Sequence, residues 1–170
     1  MNIVLGIISI IATFSIVVCM EKMFKKEGLY VWISIATITA NILVCKSIDI
    51  LGLTASLGNV MFASIFLATD ILSEKYDVKD SRKAVMLAIA SQIIFILATT
   101  IAVSYIPSET DLSNESMKTL FSINARVSIS SIVMFGASNM LDIYLFERIK
   151  KKFPKQLWLR NNVSTIISNC

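Results

Sequence analysis

Histidine is absent from the 170 residues of this chain, and its absence removes a large part of enzyme chemistry. Without histidine there is no general base that titrates near neutral pH, no imidazole ligand for zinc, and no Ser-His or Cys-His nucleophile pair. Cysteine is scarce as well: Cys19, Cys45 and Cys170 form no Cys-x-x-Cys spacing and stand in apolar surroundings, so we interpret them as packing residues. Hydrolysis, a disulfide framework and a metal centre are therefore not expected.

Charged residues are also few, at 16% of the chain, while 55% of the residues are hydrophobic. The charges stand in short bursts, and the apolar runs between them have about the length needed to cross the roughly 30 Å hydrocarbon layer of a bilayer. A soluble domain of this size would leave too much of that apolar surface in water. We therefore predict an all-α fold, a polytopic transmembrane helix bundle in the lipid bilayer.

The apolar runs predict about five full transmembrane spans and the start of a sixth, all within one domain, residues 1–170. Their approximate bounds are 3–20, 29–45, 57–72, 84–103, 122–146 and 161–170. The connection 46–56 is apolar enough to sit in the membrane interface. The sixth run has only ten residues, too few to cross a bilayer, so we expect the chain to be truncated at its C-terminus.

Lysine and arginine alternate between the predicted connections: three follow the first span, and then one, four, one and six follow the next four. Cytoplasmic connections carry the excess of these residues, which predicts cytoplasmic odd-numbered connections and an N-terminus outside. A cleaved signal peptide would have its positive charge ahead of the first apolar run. The net charge of +4 thus reflects orientation, and no nucleic-acid partner is expected.

Polar side chains inside the third span are candidates for ligand binding, because a charged or amide group in lipid costs free energy unless it faces the bundle interior. One stripe of this helix carries an amide, an aromatic ring and a carboxylate, at Asn59, Ala63, Phe66 and Asp70. The alternative is that Asp70 snorkels to the cytoplasmic interface or pairs with Lys75.

A polar seam with one aromatic ring covers about a third of the circumference of the fifth span. Its members are Ser128, Ser131, Phe135, Ser138, Asn139 and Asp142. The seam indicates either a ligand cavity or close helix packing, because small hydroxyl residues also let membrane helices approach each other. Arg126 lies on the opposite face, where we expect it to snorkel to headgroups or to pair with another helix, with a ligand contact as the alternative.

The second span has a shorter polar stripe of Ser34, Thr37 and Asn41, of which Asn41 is the candidate for ligand binding. The same span contains Ala36-x-x-x-Ala40, a pattern of small residues that permits close helix contact, either within the bundle or with a partner. Several inward carboxylates and amides with scattered phenylalanine favour recognition of a small polar aromatic molecule over bond-making chemistry.

Three ordered stretches carry a family resemblance, namely 58–76, 139–146 and 157–165. With the block Phe66-Leu67-Ala68-Thr69-Asp70, then the carboxylate of Asp142, then the pair Ser164-Thr165, the chain resembles the queuosine-precursor transporter family. The resemblance covers nearly the whole chain after the first span. It implies a multi-pass protein of the bacterial inner membrane that imports deazaguanine bases, from which queuosine, a modified tRNA nucleoside, is made.

The resemblance also implies a fold similar to the substrate-binding components of energy-coupling vitamin importers, in which six helices hold the ligand. Those components dock on partners through small-x-x-x-small helices. Ala36 and Ala40 are therefore candidates for contact with an energy-coupling partner or with a second copy of the chain.

For a deazaguanine substrate, Asp70 and Asp142 are the leading candidates, because one carboxylate can accept the ring N–H and the exocyclic amine of a guanine-like edge together. The other candidate substrate-binding residues would fix the remaining polar atoms or stack on the base: Asn59, Asn139, Asn41, Phe66, Phe135, Ser138 and Arg126. No catalytic residue or cofactor is expected. The alternatives are a non-transporting membrane assembly or partner subunit, uptake of a different vitamin-like small molecule and, least favoured, a membrane enzyme.

Overall fold

The computed structural model of the chain describes residues 2–50 and 52–152, and the side chains of 122–131 and 151–152 lie outside that description. In chain order its elements are α1 (Asn2–Leu43), β1 (Ser47–Ile50), β2 (Leu53–Ser56), α2 (Gly58–Lys75), α3 (Val78–Ser104) and α4 (Asn114–Lys152). The prediction of a mainly helical fold is confirmed. The predicted sixth span, 161–170, lies outside the described residues.

Helix α1 breaks at Lys25, whose backbone has φ 54° and ψ −135°. A straight helix of 42 residues would be about 60 Å long. Instead, Nδ2 of Asn2 donates to the carbonyl oxygen of Asp49 at 3.0 Å, only a few residues beyond the C-terminal end of α1. The first half of α1 therefore runs back along the second half, and the two halves contain the first two predicted spans.

Strands β1 and β2 form an antiparallel β-hairpin, an element that the all-α prediction did not include. Ser47 pairs with Ser56 and Ile50 pairs with Leu53, which leaves a two-residue turn. Gly52 in that turn has φ 80°, a conformation that glycine adopts without a Cβ clash. Strand pairing provides hydrogen-bond partners for the backbone N–H and C=O groups of this connection. Side-chain hydropathy does not predict such pairing.

The connections that carry most of the lysine and arginine lie together at one end of the bundle, the basic end. Its residues are 21–27, 73–83 and 147–150. Lys75 Nζ lies 2.7 Å from a carboxylate oxygen of Glu21, which joins the first basic connection to the second. Arg82 lies 3.3 Å from Glu147 and joins the second to the third. Three connections that are distant in sequence thus meet in space.

The N-terminus and the other two connections lie at the opposite end. Asn2 contacts the hairpin through Asp49. Cys45, just after α1, lines a cavity together with Glu115 and Thr119 from the start of α4. The connections therefore alternate between the two ends, as the charge pattern predicted.

Small residues bring α1 and α2 into close contact. Ala36 and Ala40 are fully buried, and a Cβ atom added at Gly58 would lie 2.7 Å from the carbonyl oxygen of Ala40. Across the same contact, Trp32 Nε1 donates to Ser64 Oγ at 3.2 Å. Both residues are thus used inside the bundle of this chain, which is the first of the two alternatives for this pattern, and nothing in the structure supports a partner at Ala36 and Ala40.

The outer faces of α1 and α3 are apolar and exposed. Both helices are long and apolar enough to cross a membrane, and only 11% and 22% of their most apolar 18-residue stretches are buried. A core helix of a soluble protein that was equally apolar would be buried. Cys19 and Cys45 are exposed as well, so the interpretation of these two as packing residues is wrong. Five full spans stay a prediction.

Candidate functional site

Helices α2 and α4 lie side by side and run in the same direction. The ring centroids of Phe62 and Phe135 are 6.4 Å apart. Further toward the basic end, Lys150 Nζ donates to the carbonyl oxygen of Ser73 at 3.2 Å. The residue later in α2 contacts the residue later in α4, so the two helices are parallel. Their parallel course brings polar residues of the two predicted stripes to the same level of the bundle.

Asp70 of α2 and Asp142 of α4 are buried between these two contacts, with 8% and 1% of their surfaces exposed. The two carboxylates are close enough to interact electrostatically. Neighbouring carboxylates repel each other when both are ionised, and burial strengthens the repulsion because less water screens it. A bound molecule that donates N–H groups would reduce this repulsion. The fold thus brings together the two carboxylates that the sequence analysis ranked first.

Asn139 adds a buried amide one helical turn before Asp142. Its Nδ2 donates to the carbonyl oxygen of Phe135 at 2.9 Å. Its Oδ1 accepts no hydrogen bond from the residues that the structure describes, although only 2% of the residue is exposed. A buried acceptor without a donor is costly, so this oxygen is suited to a donor on a bound molecule. The neighbouring Ser138 is half-buried.

An aromatic pair on the same two helices consists of Phe62 and Phe135, of which only Phe135 was predicted from the sequence. The two rings are tilted by 44° and Phe135 is almost fully buried. Phe66, the aromatic residue expected on α2, is half-buried. At 100° per residue Phe62 lies about 80° around α2 from Asp70. A wider stripe in the helical projection would therefore have included it.

In the N-terminal part of the predicted α2 stripe, Asn59 and Ala63 are both exposed among the residues that the structure describes, and a substrate contact of Asn59 stays a prediction. Lys75, the alternative partner of Asp70, forms its ion pair with Glu21 instead. The predicted stripe contributes to the buried polar cluster through Asp70, at the end of the helix that approaches the basic end.

Two further buried polar side chains lie on α1 and α3. Asn41 is 3% exposed and its Nδ2 donates to the carbonyl oxygen of Thr37 at 2.9 Å, within its own helix. Gln92 is fully buried, and sequence reasoning missed it because it stands alone in an apolar run rather than in a stripe. The side chains of Arg126, Ser128 and Ser131 lie outside the description. The described part of the chain has no group of His, Cys, Asp or Glu that could hold a metal ion.

A helix bundle with exposed apolar faces and buried carboxylates belongs to the class of membrane proteins that handle polar molecules. Residues 56–170 match the model of the family described as "Putative vitamin uptake transporter". The chain is also 41% identical over 157 residues to the "Probable queuosine precursor transporter" of Bacillus subtilis (strain 168), an alignment that covers 91% of this chain and 69% of that protein. No solved structure matches.

The chain therefore belongs to the vitamin uptake transporter family, and the resemblance inferred from its sequence motifs is confirmed. Members of a transporter family bind a small-molecule substrate and reside in a membrane. The chain is a membrane transporter and not an enzyme.

Proposed function

We propose that this chain imports a queuosine precursor, a deazaguanine base such as cyano-deazaguanine, across the bacterial inner membrane. The name of the relative from Bacillus subtilis supports this substrate class. The observation that carries the proposal is the buried pair Asp70 and Asp142, which lies on the same two parallel helices as a tilted phenylalanine pair.

A deazaguanine base offers what this cluster needs. Its ring N–H and exocyclic amine are adjacent donors, which one carboxylate accepts together in a bidentate arrangement. We assign this role to Asp142 or Asp70. Another donor of the base would satisfy Oδ1 of Asn139, and the ring of Phe135 would stack on the flat face of the base.

The orientation of the protein follows from its two unlike ends. We place the basic end in the cytoplasm and the N-terminus outside, because cytoplasmic connections carry the excess of lysine and arginine. The hairpin end then faces outward. Substrate would enter from the hairpin end, reach the carboxylate pair from outside, and leave through the basic end.

The test is uptake of labelled cyano-deazaguanine, together with restoration of queuosine in tRNA, in cells that lack a transporter of their own. The substitution at the carboxylate that binds the base, Asp142→Asn or Asp70→Asn, should lower uptake by about tenfold or more, because a charge-assisted hydrogen bond to the base is lost. Asp111→Asn is the matched control: this carboxylate lies in the exposed connection between α3 and α4 and bonds to its near neighbour Ser113.

The outcomes distinguish an error in the proposed substrate from an error in the proposed binding site. No uptake by the well-inserted parent chain would refute the deazaguanine assignment. Uptake of a labelled vitamin by that chain would then favour the alternative, uptake of a different vitamin-like molecule, which the family description also supports. Equal uptake by the parent and both Asp→Asn variants would remove these carboxylates from the site.

A further inference from the structure

A cleft of about 420 Å³ opens at the basic end, between the C-terminus of α2, the N-terminus of α3 and the last described turns of α4. Residues that line it include Ser73, Tyr76, Lys79, Arg82, Glu147 and Lys150. This volume is in the range of small-molecule sites. The cleft is separate from the buried carboxylate cluster but lies on the same helices.

The inner wall of the cleft lies directly below the carboxylate pair. Ser73 follows Asp70 by three residues, or about 4.5 Å along α2, and Glu147 follows Asp142 by five residues, or about 7.5 Å along α4. Because α2 and α4 are parallel, both steps lead toward the basic end. The cleft thus lies on the side of the carboxylates that is toward the basic end.

Two ion pairs at the cleft hold α4 to its neighbours. Arg82 Nη2 lies 3.3 Å from Glu147 Oε2 and joins α3 to α4. Lys150 Nζ lies 3.2 Å from Glu74 Oε2 and joins α4 to α2. The side chains of both acids are about a third exposed, at 33% and 37%. Ion pairs at such exposed positions are weak and open reversibly.

The ion pairs that join α1 to residues 73–83 contain acids that are less exposed. Glu21 is 11% exposed and accepts hydrogen bonds from both Lys75 and Tyr76. Asp80 is 20% exposed and is bonded by Lys26 and Tyr30. At the basic end, the acids that pair with or belong to α4 are therefore more exposed than those that join α1 to its neighbours.

We propose that this cleft is the substrate passage between the Asp70–Asp142 site and the basic end, and that the pairs Arg82–Glu147 and Lys150–Glu74 are its gate. The inference rests on the proposed function. While both pairs are formed, the passage is closed and the site is reached from the hairpin end. When they break, α4 separates from α2 and α3 and the bound base leaves, which is alternating access through one moving helix.

The gate itself can be tested without any substrate. In a background with Cys19, Cys45 and Cys170 changed to alanine, Ser73→Cys places a thiol on the inner wall of the cleft. Its labelling by a membrane-impermeant maleimide from the basic side should be slow. Adding Glu147→Arg, which opposes Arg82 with a like charge, should speed labelling about fivefold. The double exchange Arg82→Glu with Glu147→Arg should restore the slow rate.

Asp80→Asn is the matched control, because it breaks a tie at the same end that does not involve α4, and it should leave the labelling rate unchanged. In the uptake assay Glu147→Arg should lower the rate about fivefold, and the double exchange should recover it. Labelling that does not respond to Glu147→Arg would overturn the gate even if the base is taken up. Labelling that responds in a chain that takes up no base would overturn the substrate assignment and leave the gate standing.

Discussion

Replacement of Gly28 by alanine tests whether the two halves of α1 pack as closely as the structure indicates. A Cβ atom at this position would lie 2.3 Å from the carbonyl oxygen of Met20 and 2.9 Å from Cβ of Phe24. Real Cβ contacts are essentially never below 3.0 Å. A backbone carbonyl and a Cβ atom cannot rotate away, so the two halves of α1 would have to separate.

Overpacking of this kind costs about 1–3 kcal/mol, and the 2.3 Å contact favours the upper half of that range. The better helix propensity of alanine returns at most about 1 kcal/mol. We expect a net loss of about 2 kcal/mol, which should lower the melting temperature of the purified protein in detergent by about 4–8 °C.

Gly6→Ala is the control in the same helix, because the nearest atom to its added Cβ is 3.8 Å away, on the Ile50 side chain. That variant should melt at the parent temperature or slightly above it. A Gly28→Ala protein as stable as the parent would show that the halves of α1 do not pack in this way, and the placement of the N-terminus at the hairpin end would lose its support.

Two other predictions concern contacts between helices. Ser64→Ala removes the acceptor of the buried Trp32 Nε1–H and should destabilise the protein by about 1–3 kcal/mol; Ser64→Thr, which keeps a hydroxyl, should lose less in the same melting experiment. Hydrogen bonds from Lys75 and then Tyr76 lower the pKa of Glu21 below its ordinary 4.5. The stability that ionised Glu21 gives to the fold is therefore complete above pH 4.5 and is lost as the pH falls through the lowered pKa of Glu21. The melting temperature should drop on acidification below pH 4.5. Glu21→Gln should be less stable at neutral pH and should show a smaller drop. If the melting temperatures of the parent and the variant fell equally with pH, this assignment would be contradicted.

Much of the fold was predictable because it depends on short-range physics. Runs of apolar residues predict helices that lie in lipid, since unpaired backbone groups are too costly there. The bursts of lysine and arginine predicted which connections share an end of the bundle. The candidate carboxylates Asp70 and Asp142 were predictable for the same reason, because a carboxylate in an apolar helix is costly unless it faces the interior.

Other features depended on the neighbours that each helix acquires. Helical periodicity gives the angle of a residue around its own axis but not which helix lies on that side, so Phe62 was missed and the exposed Asn59 was placed in one stripe with the buried Asp70. From its sequence pattern, Ala36 was equally suited to close packing against a partner protein or against α2. The hairpin is a matter of backbone pairing, to which side-chain hydropathy is insensitive.

The sequence by itself thus determined the class of protein, the mainly helical fold, the alternation of the connections and the polar residues worth testing, because each depends on a residue and its local environment. The tertiary structure alone decided that α2 and α4 run parallel, that Asp70 and Asp142 are buried near each other, and that a cleft with two ion pairs beside it lies below them. Those features arise from packing between segments some 70 residues apart, where the Phe62–Phe135 and Arg82–Glu147 contacts hold together helices whose separate sequences do not specify each other.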